Sequence, residues 1–169
     1  MTTHRTLPHD PYIEAVTEAL AGAGLRLEQV DVRDSETQGT HCYLDAVLTL
    51  TPDASGTDQD TWPHGLILIW EWHTGREAHL GEPERGPVWQ FAELNEDGSN
   101  AYPTDLPVYG YASPAAIVEA IRKVLDRQIQ PGSYLNSSQW RGWDGGLIGG
   151  SWEKADELEA ACVAWDAEE

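Results

Sequence analysis

Apolar residues along this chain recur with two periods, and the switches between them divide it into elements. In residues 10–20, Ile13, Val16, Thr17 and Leu20 fall on one stripe at helical spacing. Asp10 is placed to cap this helix, Pro11 suits its first position, and Gly22 and Gly24 end it. Residues 25–33 read as a strand with Leu25, Leu27, Val30 and Val32 as its apolar positions. The alternation breaks at Gln29, which predicts a bulge there. From 41 to 51 the alternation is clean. Cys42, Leu44, Ala46, Leu48 and Leu50 face one way, while His41, Tyr43, Asp45, Val47 and Thr49 face the other, as in a half-buried antiparallel strand. Residues 52–63 read as a polar loop. Residues 65–72 are apolar on both faces at their start, the mark of a central strand.

The second half continues the pattern. Residues 73–76 form a tight turn around Gly75, residues 77–80 return, and residues 87–94 make another strand. Ser113-Pro114 opens a second long helix whose buried face carries Ile117, Val118, Ile121, Val124 and Leu125. A stretch rich in Gly, Ser and Trp spans 131–150. A last helix starts near Ser151, with Ala155, Leu158, Cys162 and Trp165 as a narrow apolar seam. The expected fold is α+β: an antiparallel sheet of four to five strands, flanked by the N-terminal and second helices, with a C-terminal helix after a Gly/Trp-rich linker. Residues 1–130 form the α+β domain, and residues 131–169, linker and helix, pack on that same domain. At 169 residues, one domain is the natural size.

Charge changes the picture most. The chain carries 29 acids against 10 bases, a formal net of −19. Such a charge repels phosphate backbones and anionic membrane surfaces, so neither direct nucleic-acid binding nor membrane association is expected. It attracts basic proteins, or proteins that themselves expect a nucleic acid. The bases concentrate in one region, at Arg122, Lys123 and Arg127 of the second helix. The acidic last helix is therefore expected either to dock beside that helix or to stand free as an arm for a basic partner. Cys42 and Cys162 fall on apolar faces and read as core residues rather than a disulfide or metal pair. No leader-like apolar segment stands at the N-terminus, which points to the cytoplasm.

Candidate chemistry is sparse. Glu71, His73, Glu77 and His79 sit around the expected turn at Gly75, and a hairpin pairing Glu71 with His79 and His73 with Glu77 would put four zinc- or iron-type ligands on one face. Ordinary cross-strand charge pairs explain them as well. The glycines at 145, 146, 149 and 150 precede a helix, as in phosphate cradles, but the fingerprint lacks its strand and its Lys-Ser/Thr. No serine nucleophile motif and no calcium loop is present. No cofactor is implied. Trp140, Trp143 and Trp152 surround the Gly-rich stretch. With Asp144, Glu153, Asp156 and Glu157 beside them they are the candidate partner-binding residues, since Trp is enriched at binding hot spots.

Residues 9–27 and 65–125, with Trp70, Trp72, Gly75 and Ser113-Pro114, resemble a family of small acidic actinobacterial proteins of unknown function over about residues 9–128. The resemblance implies an N-terminal helix before strands with a Trp-rich hairpin, and it implies no catalytic residue. The expected function is a non-enzymatic, acidic protein-binding module, an inhibitor or immunity-type protein for a basic partner. Three other expectations stand beside it: a DNA mimic that inhibits a nucleic-acid enzyme, a small metal-binding protein or metalloenzyme using the 71–79 hairpin, and an adaptor or chaperone-like homo-oligomer.

Overall fold

Among the described residues, five strands lie in one antiparallel sheet in the order of the chain: β1 (Gln29–Thr37), β2 (Thr40–Leu50), β3 (Leu66–His73), β4 (Val88–Glu93) and β5 (Thr104–Asp105). With them stand four helices of the α+β fold, α1 (Asp10–Gly22), α2 (Pro52–Ser55), α3 (Pro114–Leu125) and α4 (Ala155–Ala167). The computed structural model describes residues 7–37, 40–73, 87–101, 103–130 and 146–167, and for residues 35–37, 40–43, 73 and 166–167 the backbone alone.

β3 is central, as its two-sided apolar start predicts. Leu44, Ala46, Leu48 and Leu50 of β2, Leu66, Leu68, Trp70 and Trp72 of β3, and Trp89 and Phe91 of β4 are buried on one face. The long helices bring Ile13, Val16 and Leu20, then Ala116, Ile117, Ala120, Ile121 and Val124, onto the same contiguous core. Leu158, Cys162 and Trp165 of α4 belong to it too, and the Trp165 ring meets Trp72 edge-on at 6.4 Å. Full burial of side chains such as Leu158 and Trp165 contributes about 1.5–3 kcal/mol each.

Several local expectations shift. Asp10 is the first helical residue, not the cap. The cap position belongs to His9, and the Asp10 carboxylate reaches back to accept the Leu7 N–H at 2.6 Å. Tyr12, absent from the expected stripe, is fully buried, because its hydroxyl has partners inside. β1 begins at Gln29 rather than Leu25: Leu25 is still tied to the end of α1, its N–H donating to the Leu20 carbonyl at 2.8 Å. The bulge lies between Ser35 and Glu36, not at Gln29. The 52–63 loop contains the short α2, with Thr51 Oγ1 accepting the Ala54 N–H, and it ends in a fully buried Trp62. Gly65 then has φ +86, and a Cβ there would strike the Leu50 carbonyl, so β3 can enter the sheet beside β2 only through a glycine.

Ser113 caps α3 as expected, its Oγ accepting the Ala116 N–H at 3.2 Å ahead of Pro114. α4 starts at Ala155, four residues after Ser151, which bridges instead to Ala112. Two bases of the basic region act locally rather than on α4. Arg122 donates to the Ala23 carbonyl at 3.3 Å, at the carbonyl end of α1, where a cation is favoured. Arg127 lies 4.0 Å over the Trp62 ring and donates to the Thr61 carbonyl at 3.0 Å.

Candidate protein-binding site

Of the 71–79 cluster, Glu71 is described, lying between Asp45 of β2 and Val88 of β4 in the sheet. Glu77, His79 and the His73 side chain fall outside the described residues. Among the described residues, no group of three or more His, Cys, Asp or Glu side chains is placed to hold a metal ion. No helix of the described residues is long and apolar enough to cross a membrane.

Of the tryptophan-centred candidates, Trp140, Trp143 and Asp144 also fall outside the described residues. Trp152 is half-buried, with its ring 5.0 Å from Tyr12. Glu153, Asp156 and Glu157 are exposed on and just before the first turn of α4. Trp152 and Glu157 share a hollow of about 300 Å³ with Pro8, Pro11, Tyr12 and Leu158, where α4 passes the start of α1. Of the glycines ahead of α4, Gly145 lies outside the described residues, Gly146, Gly149 and Gly150 are exposed, and a Cβ on Gly149 would strike Ala116. Ser113 N–H donates to the Gly150 carbonyl at 2.9 Å, Ile148 N–H donates to the Pro107 carbonyl at 2.7 Å, and Ile148 is buried.

Beneath the start of α1 lies a buried polar network. The Tyr12 hydroxyl donates to the Ala112 carbonyl at 2.6 Å and accepts from Trp89 Nε1 at 3.0 Å. Burial raises the Tyr12 hydroxyl far above its usual range, so it stays neutral. His9 stacks on Trp70 at 5.3 Å, and its Nε2 lies 2.8 Å from the Asp45 carbonyl. That contact requires Nε2 to carry the proton, which leaves Nδ1 as a bare acceptor with no partner. Desolvation lowers the His9 pKa, against the opposing pull of the Asp45 carbonyl and of Asp10, Asp45 and Asp34. The Cys162 thiol is pushed up to about 12 by burial, with Glu159 adding to the effect. Neither the imidazole nor the thiol has any exposed surface from which to meet a substrate.

What the surface does offer is a valley between α1 and β1. A hollow of about 470 Å³ has Ile13, Val30 and Val32 as its apolar wall and Asp10, Glu14 and Glu18 as its rim. Val30 is 38% exposed on the face where its strand neighbours are covered. The three acids follow each other at four-residue spacing along one line of the helix. Asp10 has a local role at the start of α1, where an acid is favoured and where it accepts the Leu7 N–H, whereas the like-charged pair Glu14 and Glu18 costs about 0.2–0.5 kcal/mol. The sequence reading passed over this valley although its signals were present. The acids at 10, 14 and 18 are a legible line, but Val30 and Val32 read alike as core, whereas the structure exposes Val30 and packs Val32 partly against the core.

Compared with protein-family models, curated proteins and solved structures, the chain finds no match. The likeness to the small acidic actinobacterial family therefore rests on its own residues alone.

Proposed function

We propose that this chain is a non-enzymatic binding module of the cytoplasm that captures a basic protein partner, in the manner of an inhibitor or immunity-type protein. The valley between α1 and β1 carries this reading. Its apolar wall of Ile13, Val30 and Val32 is rimmed by Asp10, Glu14 and Glu18 with no base among the lining residues. An apolar floor inside a charged rim is the anatomy of a protein interface. The floor supplies affinity through burial, and the rim, backed by a net charge of −19, speeds encounter with a cation-rich surface. The hollow at Trp152 and Glu157 lies on the other flank of α1 and pairs its acid with a base, Lys154, so the purely acidic rim belongs to the valley.

Cross-linked capture from the source cells, followed by binding kinetics at two salt concentrations, tests the reading. The expected partner is strongly basic, and its association rate falls at least tenfold between about 50 and 200 mM salt. A neutral or acidic partner, or an association rate indifferent to salt, overturns it. The DNA-mimic reading draws support from the line of Asp10, Glu14 and Glu18, which climb α1 in steps of about 6 Å. It requires that the captured partner be a nucleic-acid enzyme and that duplex DNA displace it.

A further inference from the structure

We infer that β1 is a docking edge, and that the basic partner adds an extended segment to the sheet there as a sixth strand. The inference rests on the basic-partner reading and names the part of the partner that binds. The two ends of the sheet differ: β5 is a two-residue strand, whereas β1 runs for nine residues, and among the described residues no strand pairs with its outer side. A second hollow, of about 630 Å³, is lined by five consecutive residues of β1, Val30 to Asp34. Successive strand residues point to opposite faces, so a hollow that touches all five borders the edge of the strand rather than either face. Every second residue of such an edge turns its N–H and C=O outward, which is a template for strand addition.

The same geometry selects the occupant. Alternate side chains of an added strand would enter the valley against the exposed Val30 and the half-buried Val32, beneath Asp10, Glu14 and Glu18. Lys or Arg meets both demands, with its aliphatic stem on the valines and its charge at the carboxylates. On the opposite face the neighbouring base, Arg33, is held by Asp45 through two contacts at 3.2 and 3.1 Å. The bulge between Ser35 and Glu36 ends the regular edge, so the docking segment is about six residues long. A second copy is a poor occupant: β1 pairing with β1 would bring Asp31 and Asp34 against their own kind between two chains of net −19.

A ten-residue peptide of alternating Lys and Val is the probe, beside a peptide of equal charge with Pro at two central Val positions, which cannot extend a ladder. Affinities are read by fluorescence anisotropy and amide protection by hydrogen exchange. The alternating peptide is expected to saturate, to slow exchange in residues 29–34, and to bind at least tenfold more tightly than its Pro counterpart. V30K, at a position exposed enough to accept lysine, should weaken it about tenfold while the fold is retained. Equal, salt-sensitive binding of both peptides without protection of β1 overturns strand addition yet leaves a basic partner in place. No binding by either peptide also overturns it, with the basic-partner reading judged by the capture experiment alone. Sedimentation showing dimers that V30K dissociates would give the edge to a second copy and overturn the inference too.

Discussion

The two flanks of α1 are built from opposite materials. On one, Tyr12 is enclosed by the rings of Trp70, Trp89 and Trp152 at 5.0–6.0 Å, and its hydroxyl joins two partners that are distant in sequence. On the other, Ile13 looks across an open valley to Val30 and Val32, under a line of mutually repelling acids. The aromatic flank holds the fold and hides its chemistry. The valley flank gives up a little stability and leaves Val30 exposed. Among the described tryptophans, Trp62, Trp70 and Trp89 are buried in the core, while Trp152 is half-buried.

That division can be broken most forcefully at its aromatic side. Trp70 stacks on His9, meets Tyr12 and donates to the Gly110 carbonyl at 2.9 Å, so Trp70→Ala should cost about 3–5 kcal/mol in denaturant unfolding. A loss below 1 kcal/mol would mean that the flank is not where stability resides. Tyr12→Phe keeps the ring and removes only the hydroxyl, stranding Trp89 Nε1 and the Ala112 carbonyl. The expected cost is about 1–3 kcal/mol with the partner affinity unchanged.

His9 sharpens the comparison through pH. Burial lowers its pKa in the fold below the ordinary histidine value of about 6.5, so the unfolded chain takes up a proton at a pH where the folded chain does not. Stability should therefore fall as the pH drops through 6.5 and continue to fall until the folded-state pKa is passed. The positive end of the α1 dipole acts in the same direction. His9→Gln should flatten this part of the pH profile of the melting temperature, and an unchanged profile would assign the acid sensitivity elsewhere. The smallest effect on stability belongs to the valley. Glu14→Gln with Glu18→Gln should leave stability the same or raise it by up to about 0.5 kcal/mol, while the association rate with the basic partner falls. A double variant that unfolds more easily would make the acids structural.

Much of the architecture was legible because it follows from local periodicity. The alternation at 44–50 orients β2, the two-sided apolar run at 66–70 marks β3 as central, and Ser113-Pro114 announces α3 with its cap. The errors fall where a residue answers to something distant. Leu25 and Leu27 alternate like a strand, yet the carbonyl of Leu20 holds the chain at the end of α1 until Gln29. Trp62 sits in a polar stretch and is buried because Leu125 accepts its indole N–H and Arg127 covers its ring. Glu71 stands between Asp45 of β2 and Val88 of β4, neighbours set by the sheet rather than by any signal near Gly75.

By itself, then, the order of residues determined the class of fold, the sign of the surface charge and the faces that each long element must bury, since these depend on spacing and composition along the chain. Which acids gather on one rim, which valines stay uncovered, and which edge of the sheet is long enough to receive another strand were decided only when the elements packed. Period and propensity act over a few residues, whereas the valley exists only because α1, closing over Tyr12 to cover β3 and β4, leaves β1 beyond its reach.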